Sequence, residues 1–68
     1  MKKISVSLSG HQTSISLEDE FLSELKRICA ENHRAVADVI REIDSARSPD
    51  TNLSSAIRVW ILKNIKNS

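Results

Sequence analysis

The chain has 68 residues, 40% of them apolar, with Phe21 and Trp60 as its aromatic side chains and a net charge of +1. One cysteine permits no internal disulfide, and two distant histidines with it make no zinc site. A core in a chain below ~70–80 residues rarely supplies more than ~3–5 kcal/mol; oligomerisation is the remaining staple, and an enzyme pocket has few walls to draw on.

Met1-Lys2-Lys3 followed by Ile4-Ser5-Val6-Ser7-Leu8 looks briefly like a signal peptide. The apolar stretch is too short, is interrupted by serines and is followed by no small-residue cleavage site. No run approaches the ~18 apolar residues of a membrane span. The expectation is a cytoplasmic protein with Cys29 reduced. Ile4, Val6 and Leu8 alternate with serines, which predicts a strand or arm over 3–9. Thr13, Ile15 and Leu17 alternate with Gln12, Ser14 and Ser16, which predicts a strand over 12–17. Gly10-His11 between them suits a two-residue type II′ turn. That turn sets Leu8 opposite Thr13, Val6 opposite Ile15 and Ile4 opposite Leu17. The other face is then Ser5, Ser7, Ser9, Gln12, Ser14 and Ser16, polar and uncharged. An isolated hairpin is barely stable in water, so the strands need a partner.

At Glu18 the period changes. Glu18, Asp19 and Glu20 suit a helix N-terminus, and Ser16 opens a Ser-x-x-Asp capping signature with Asp19. Phe21, Leu22, Leu25, Ile28 and Cys29 recur at helical spacing, predicting a helix over 18–32 ended by Asn32-His33, Asn being tolerant of the left-handed cap. Val36, Val39, Ile40 and Ile43 make a second helix over 35–47. Ser48-Pro49-Asp50-Thr51-Asn52 breaks it, and Thr51 or Asn52 can cap a third helix over 53–66. That helix carries Leu53, Ile57, Trp60 and Ile61 on one face, with Val59 and Leu62 off it. Such a wide stripe implies burial on more than one side.

Charge is unevenly spread. Residues 1–17 carry +2 and no acid, residues 18–50 carry −4, and residues 51–68 carry +3 and no acid. Acid-free ends suit a polyanion. No phosphate-binding glycine loop, metal cluster or nucleophile elbow is present. His11 falls in the turn and His33 at a helix end, without an acid or nucleophile pattern around either. Cys29 lies on an apolar stripe and reads as a small core residue. Neither an enzyme nor a cofactor or small-molecule substrate is implied.

A short strand running straight into a helix, a turn and a second helix is a specific pattern. Here it is Gln12-Thr13-Ser14-Ile15-Ser16-Leu17-Glu18-Asp19-Glu20-Phe21, then Leu25, Ile28, Asn32-His33-Arg34 and Val36-x-x-Val39-Ile40. It resembles the ribbon–helix–helix superfamily of the Arc and methionine repressors. With Ile43-Asp44, Asn52-Leu53-Ser54-Ser55-Ala56 and a third helix, it is most similar to a bacterial family of short ribbon–helix–helix proteins. The resemblance implies one α+β domain over 1–68 that works as a homodimer, its ribbon strands pairing across the subunit boundary. It implies a transcriptional regulator, a repressor or autoregulator of double-stranded DNA, with outward Gln12, Ser14 and Ser16 reading base edges in the major groove. Gln suits the N6 and N7 of adenine. Phosphates would meet Lys2 and Lys3, and Arg34 with the N–H groups of Ala35 and Val36 at the second helix start. The shared dimer core would comprise Thr13, Ile15, Leu17, Leu25, Ile28, Val36, Val39, Ile40, Ile43 and Trp60. No protomer is expected to bury Ile15, Leu17, Val36 and Ile40 alone. Two departures stand out. Ala35 replaces the usual Ser or Thr cap, and residues 4–8 add a strand. Two hairpins side by side make a sheet ~19 Å wide, against a major groove ~12 Å wide. Residues 1–9 therefore either swing aside as basic arms, or the chain is a homodimeric protein-interaction module that binds no DNA.

Overall fold

The computed structural model describes residues 1–8 and 10–66. Strands β1 (Lys2–Leu8) and β2 (His11–Leu17) form an antiparallel hairpin, followed by helices α1 (Asp19–Glu31), α2 (Val36–Ala46) and α3 (Leu53–Lys66). Residues 2–8 are thus a fixed strand rather than a free arm. Ser9, placed by the alternation at the end of the first strand, lies outside the described residues.

The hairpin register differs from the expected one. Leu8 pairs with His11, Val6 with Thr13, Ile4 with Ile15 and Lys2 with Leu17. Gly10, at φ 82, therefore takes the second place of the two-residue connection rather than the first. The slip is two residues in partner number, and strand side chains repeat every two. Every residue consequently keeps its face. The observed register also sets β-branched residues against each other, Ile4 on Ile15 and Val6 on Thr13, a favourable cross-strand match.

Helix α1 starts later than its capping signature suggests. Glu18 occupies the N-cap with no side-chain bond, and Ser16 is held in β2 opposite Lys3. Asp19 and Glu20 in the first turn complement the helix dipole instead. At the other end the left-handed residue is His33, φ 54, not Asn32. The N–H of His33 donates to Ala30 O at 3.2 Å and that of Arg34 to Cys29 O at 2.9 Å, the bond pair of a Schellman motif. Asn32 instead donates its Nδ2 to Ile28 O at 2.7 Å. Asn52 caps α3, its side-chain oxygen accepting from Ser55 N at 2.8 Å.

The core lies between the inner face of the hairpin and the three helices. Leu17, Leu25, Ile40, Ile57 and Ile61 have no exposed surface. Ile15 is buried too, so one chain encloses Ile15, Leu17 and Ile40, contrary to the expectation that a second subunit is needed. The reason is that β1 adds Val6 and Leu8 beside β2, and α3 packs Ile57 and Ile61 against α1 and α2. Val36, Thr13 and Trp60 are only half-buried, packed at the margin rather than inside. A Cα radius of gyration of 11.3 Å is that of a fully collapsed chain of this length, ~11 Å.

Candidate nucleic-acid interface

The hairpin buries one face and leaves the other open. On the open face Lys3 pairs with Ser16, Ser5 with Ser14 and Ser7 with Gln12. All are exposed except Ser16, which is half-buried. Neither strand contains an acidic residue, so the face carries hydroxyls, one carboxamide and one ammonium. Gln12, Ser14 and Ser16 lie in one row on β2, and Lys3 joins them through the register. Lys2 does not. It alternates to the other side and borders a shallow cleft with Asp19, Leu22, Ser23 and Lys26 of α1.

Among the described residues β2 has a strand neighbour, β1, on one edge only. In an antiparallel pair, alternate residues turn their backbone groups away from the partner, so the other edge of β2 holds unpaired N–H and C=O groups. A groove of about 420 Å³ runs there, bordered by Thr13, Ser14, Ile15 and Ser16 and by Asn52, Leu53 and Ser54 at the start of α3. Arg58 also borders it and donates from Nε to Glu18 Oε1 at 2.9 Å. That bond holds the Glu18 carboxyl below its usual range.

The start of α2 is a separate place. Ala35, extended at φ −74 and ψ 143, caps the helix without a side-chain bond. The first-turn N–H groups of a helix have no helical acceptor. Yet Arg34 is ion-paired with Glu42, and Asp38 in the first turn binds Arg41 at 3.0 Å. Carboxylates thus border the open hollow of about 460 Å³ at this helix start. The structure does not join Arg34, Ala35 and Val36 to the face that bears Lys3 and Gln12.

Two further features escaped the sequence reading. Ile43, Ala46, Ala56, Val59 and Trp60 line an apolar groove of about 340 Å³ between α2 and α3, with Arg47 and Lys63 at its rim. Of the off-face pair on α3, Val59 borders this groove and Leu62 does not; at 50% and 55% exposure neither is buried within the chain, contrary to the burial on more than one side that the wide stripe implied. Cys29, Asn32, Arg34, Trp60 and Asn64 border a smaller hollow of about 220 Å³, where burial pushes the Cys29 thiol up and Arg34 partly offsets it. Among the described residues no three His, Cys, Asp or Glu side chains form a metal cluster, and no helix is long and apolar enough to cross a membrane.

A model of the ribbon-helix-helix domain family matches residues 1–65. The chain belongs to this family. Ribbon–helix–helix domains generally form dimers that bind DNA, and they are typically non-enzymatic. No curated protein and no solved structure shows significant similarity to the chain.

Proposed function

We propose that the protein is a homodimeric, cytoplasmic DNA-binding regulator, a repressor or autoregulator, that presents its open sheet face to the major groove. The observation that carries the reading is the outward, acid-free row of exposed Gln12 and Ser14 and half-buried Ser16, on a strand whose far edge has no strand partner among the described residues. Antiparallel pairing of that edge with its copy completes a two-fold ribbon, sheet order β1-β2-β2-β1. Gln12 then offers a bidentate contact to adenine, and the serines donate or accept at neighbouring bases. Two symmetric half-sites follow from the two-fold axis. Arg34 joins in by exchanging Glu42 for a phosphate, beside the Ala35 and Val36 N–H groups.

The test is titration of a labelled duplex at low salt. Binding with a dissociation constant in the ~10⁻⁴–10⁻⁶ M range or tighter, weakening steeply with salt, supports the reading. Gln12→Ala reduces discrimination among sequences by ~1–3 kcal/mol. Absence of binding at tens of micromolar protein, with random or selected duplexes, refutes it. The fixed outer strand and the apolar groove between α2 and α3 favour the second reading, a homodimeric protein-interaction module, which that outcome selects.

A further inference from the structure

We propose that β1 is a phosphate rail: in the dimer its outward row Lys3, Ser5 and Ser7 rests on the sugar–phosphate ridges that flank the groove. The inference rests on the DNA-binding reading above and deepens it. β1 cannot leave the sheet cheaply, because it is paired to β2 from Lys2 to Leu8 and its inner residues Val6 and Leu8 are buried. Whatever the sheet touches, β1 touches with it.

Its position follows from strand spacing. At ~4.8 Å between strands, a sheet symmetric about two central β2 strands sets each β1 axis ~7 Å from the two-fold. The major groove extends only ~6 Å to either side of its midline. The central strands therefore lie over the groove and each β1 lies over its edge, where the phosphates are. A sheet too wide to enter the groove is still of the right width to straddle it.

The side chains suit that place. Ser5 and Ser7 are short hydroxyls that let a phosphate come close to the strand and donate to its oxygens. Lys3 supplies positive charge at the end of the row and takes part in none of the ion pairs among the described residues. No carboxylate lies on the hairpin to repel the backbone. On the inner strands Gln12 is the longest outward side chain and sits opposite Ser7. With the sheet held on the rims, Gln12 reaches furthest toward the base edges, and most of the affinity is indifferent to sequence.

The experiment compares the wild-type dimer with Ser5→Glu, Ser7→Glu and Ser7→Lys. The probes are labelled duplexes of about two helical turns, one of random and one of selected sequence, over a salt series. Circular dichroism and sedimentation confirm that each variant is folded and dimeric. Each Glu variant is expected to weaken binding to both duplexes by the same factor, at least about tenfold. Ser7→Lys is expected to tighten both and to steepen the log–log salt slope by about 1.8, two added contacts per dimer at ~0.9 each. This lysine arm still decides the matter if the Glu variants fail to fold. The rail is overturned if the wild type binds DNA but folded Glu variants bind within twofold of it, if the loss is confined to the selected sequence, or if Ser7→Lys leaves the slope unchanged. A wild type that binds neither duplex removes the DNA-binding reading itself, a result distinct from a rail that fails on a protein that binds.

Discussion

Truncating Ile57 to alanine tests whether one chain closes its own core. Ile57 lies in the second turn of α3 with no exposed surface, and Ile61 one turn on is equally enclosed. Ile→Ala removes the equivalent of three methylene groups, ~2.4 kcal/mol at ~0.8 each by transfer alone. The cavity left behind raises the usual total to ~2–5 kcal/mol. A chain of this length has only ~3–10 kcal/mol of stability in all, at ~0.05–0.15 per residue. Ile57→Ala is therefore expected to remove a large share of it, from about a fifth up to all. At ~4–8 °C per kcal/mol for a domain of this size, the melting temperature falls by at least about 10 °C. Val59, two residues away and half exposed, is the internal control: Val59→Ala should stay within about 0.5 kcal/mol, as surface substitutions do. Thermal and urea unfolding followed by circular dichroism, at one fixed concentration, measures both. Equal costs at the two positions would refute the argument, because they would mean that α3 buries both faces alike, against a second subunit rather than against α1 and α2.

Asn52→Ala should cost ~1 kcal/mol through loss of the α3 cap, with Asn52→Asp close to wild type, read from the same melts; equal values for the two would mean that the Ser55 N–H bond contributes nothing. Gly10→Ala should cost ~1–2 kcal/mol from the left-handed backbone alone, since a Cβ there meets nothing within 4 Å; a stability gain would show that the turn relaxes freely. Because Arg58 lowers the Glu18 carboxyl in the folded state, the pair contributes stability above the ordinary glutamate value near pH 4.3 and loses it as pH falls through the folded value. Acid titration of stability should thus be shallower in Arg58→Ala than in the wild type below about pH 4.3, and parallel curves would show the pair to be idle.

The fold was largely legible because its signals are local. Period-two alternation marked both strands, helical stripes marked all three helices, and Asn52 sits where a cap residue belongs. What was not legible depends on tertiary placement. The hairpin register turned on whether Gly10 takes the first or second turn position, and an even slip leaves the hydrophobic pattern unchanged, so alternation cannot decide it. His33 rather than Asn32 became left-handed because Asn32 had a nearer use, its side chain bonding the Ile28 carbonyl. The one-chain core escaped notice because the contribution of β1 and α3 to it is a matter of packing, not of sequence spacing. At the candidate interface, the row Gln12, Ser14 and Ser16 was readable from strand phase, whereas the divergence of Lys2 from Lys3 and the pairing of Arg34 with Glu42 eight residues on needed three-dimensional neighbours.

The ion pairs explain how a protein of net charge +1 can still present a positive face. All five arginines pair with carboxylates of the same chain: Arg27 with Glu24 and Glu31, Arg34 with Glu42, Arg41 with Asp38, Arg47 with Asp44 and Arg58 with Glu18. The lysines take part in none of these pairs. Seven of the nine acids lie on α1 and α2, and five of those seven are paired with arginines, so the helical segment stays net negative while its arginines are held to its own carboxylates. The acid-free hairpin keeps its ammonium groups uncompensated. Partly exposed pairs such as these contribute only ~0–1 kcal/mol each, so they add little to folding. Their effect is on the field: they remove the arginines as long-range attractors and leave approach to a polyanion to lysines, of which Lys3 is the one on the open sheet face. Lysine is a compact point charge, without the planar fork by which arginine reads guanine. A face built from lysine, serine and one glutamine is therefore suited to gripping a backbone first and reading bases second, which is the division of labour that the proposed rail assigns to the two strands of the hairpin.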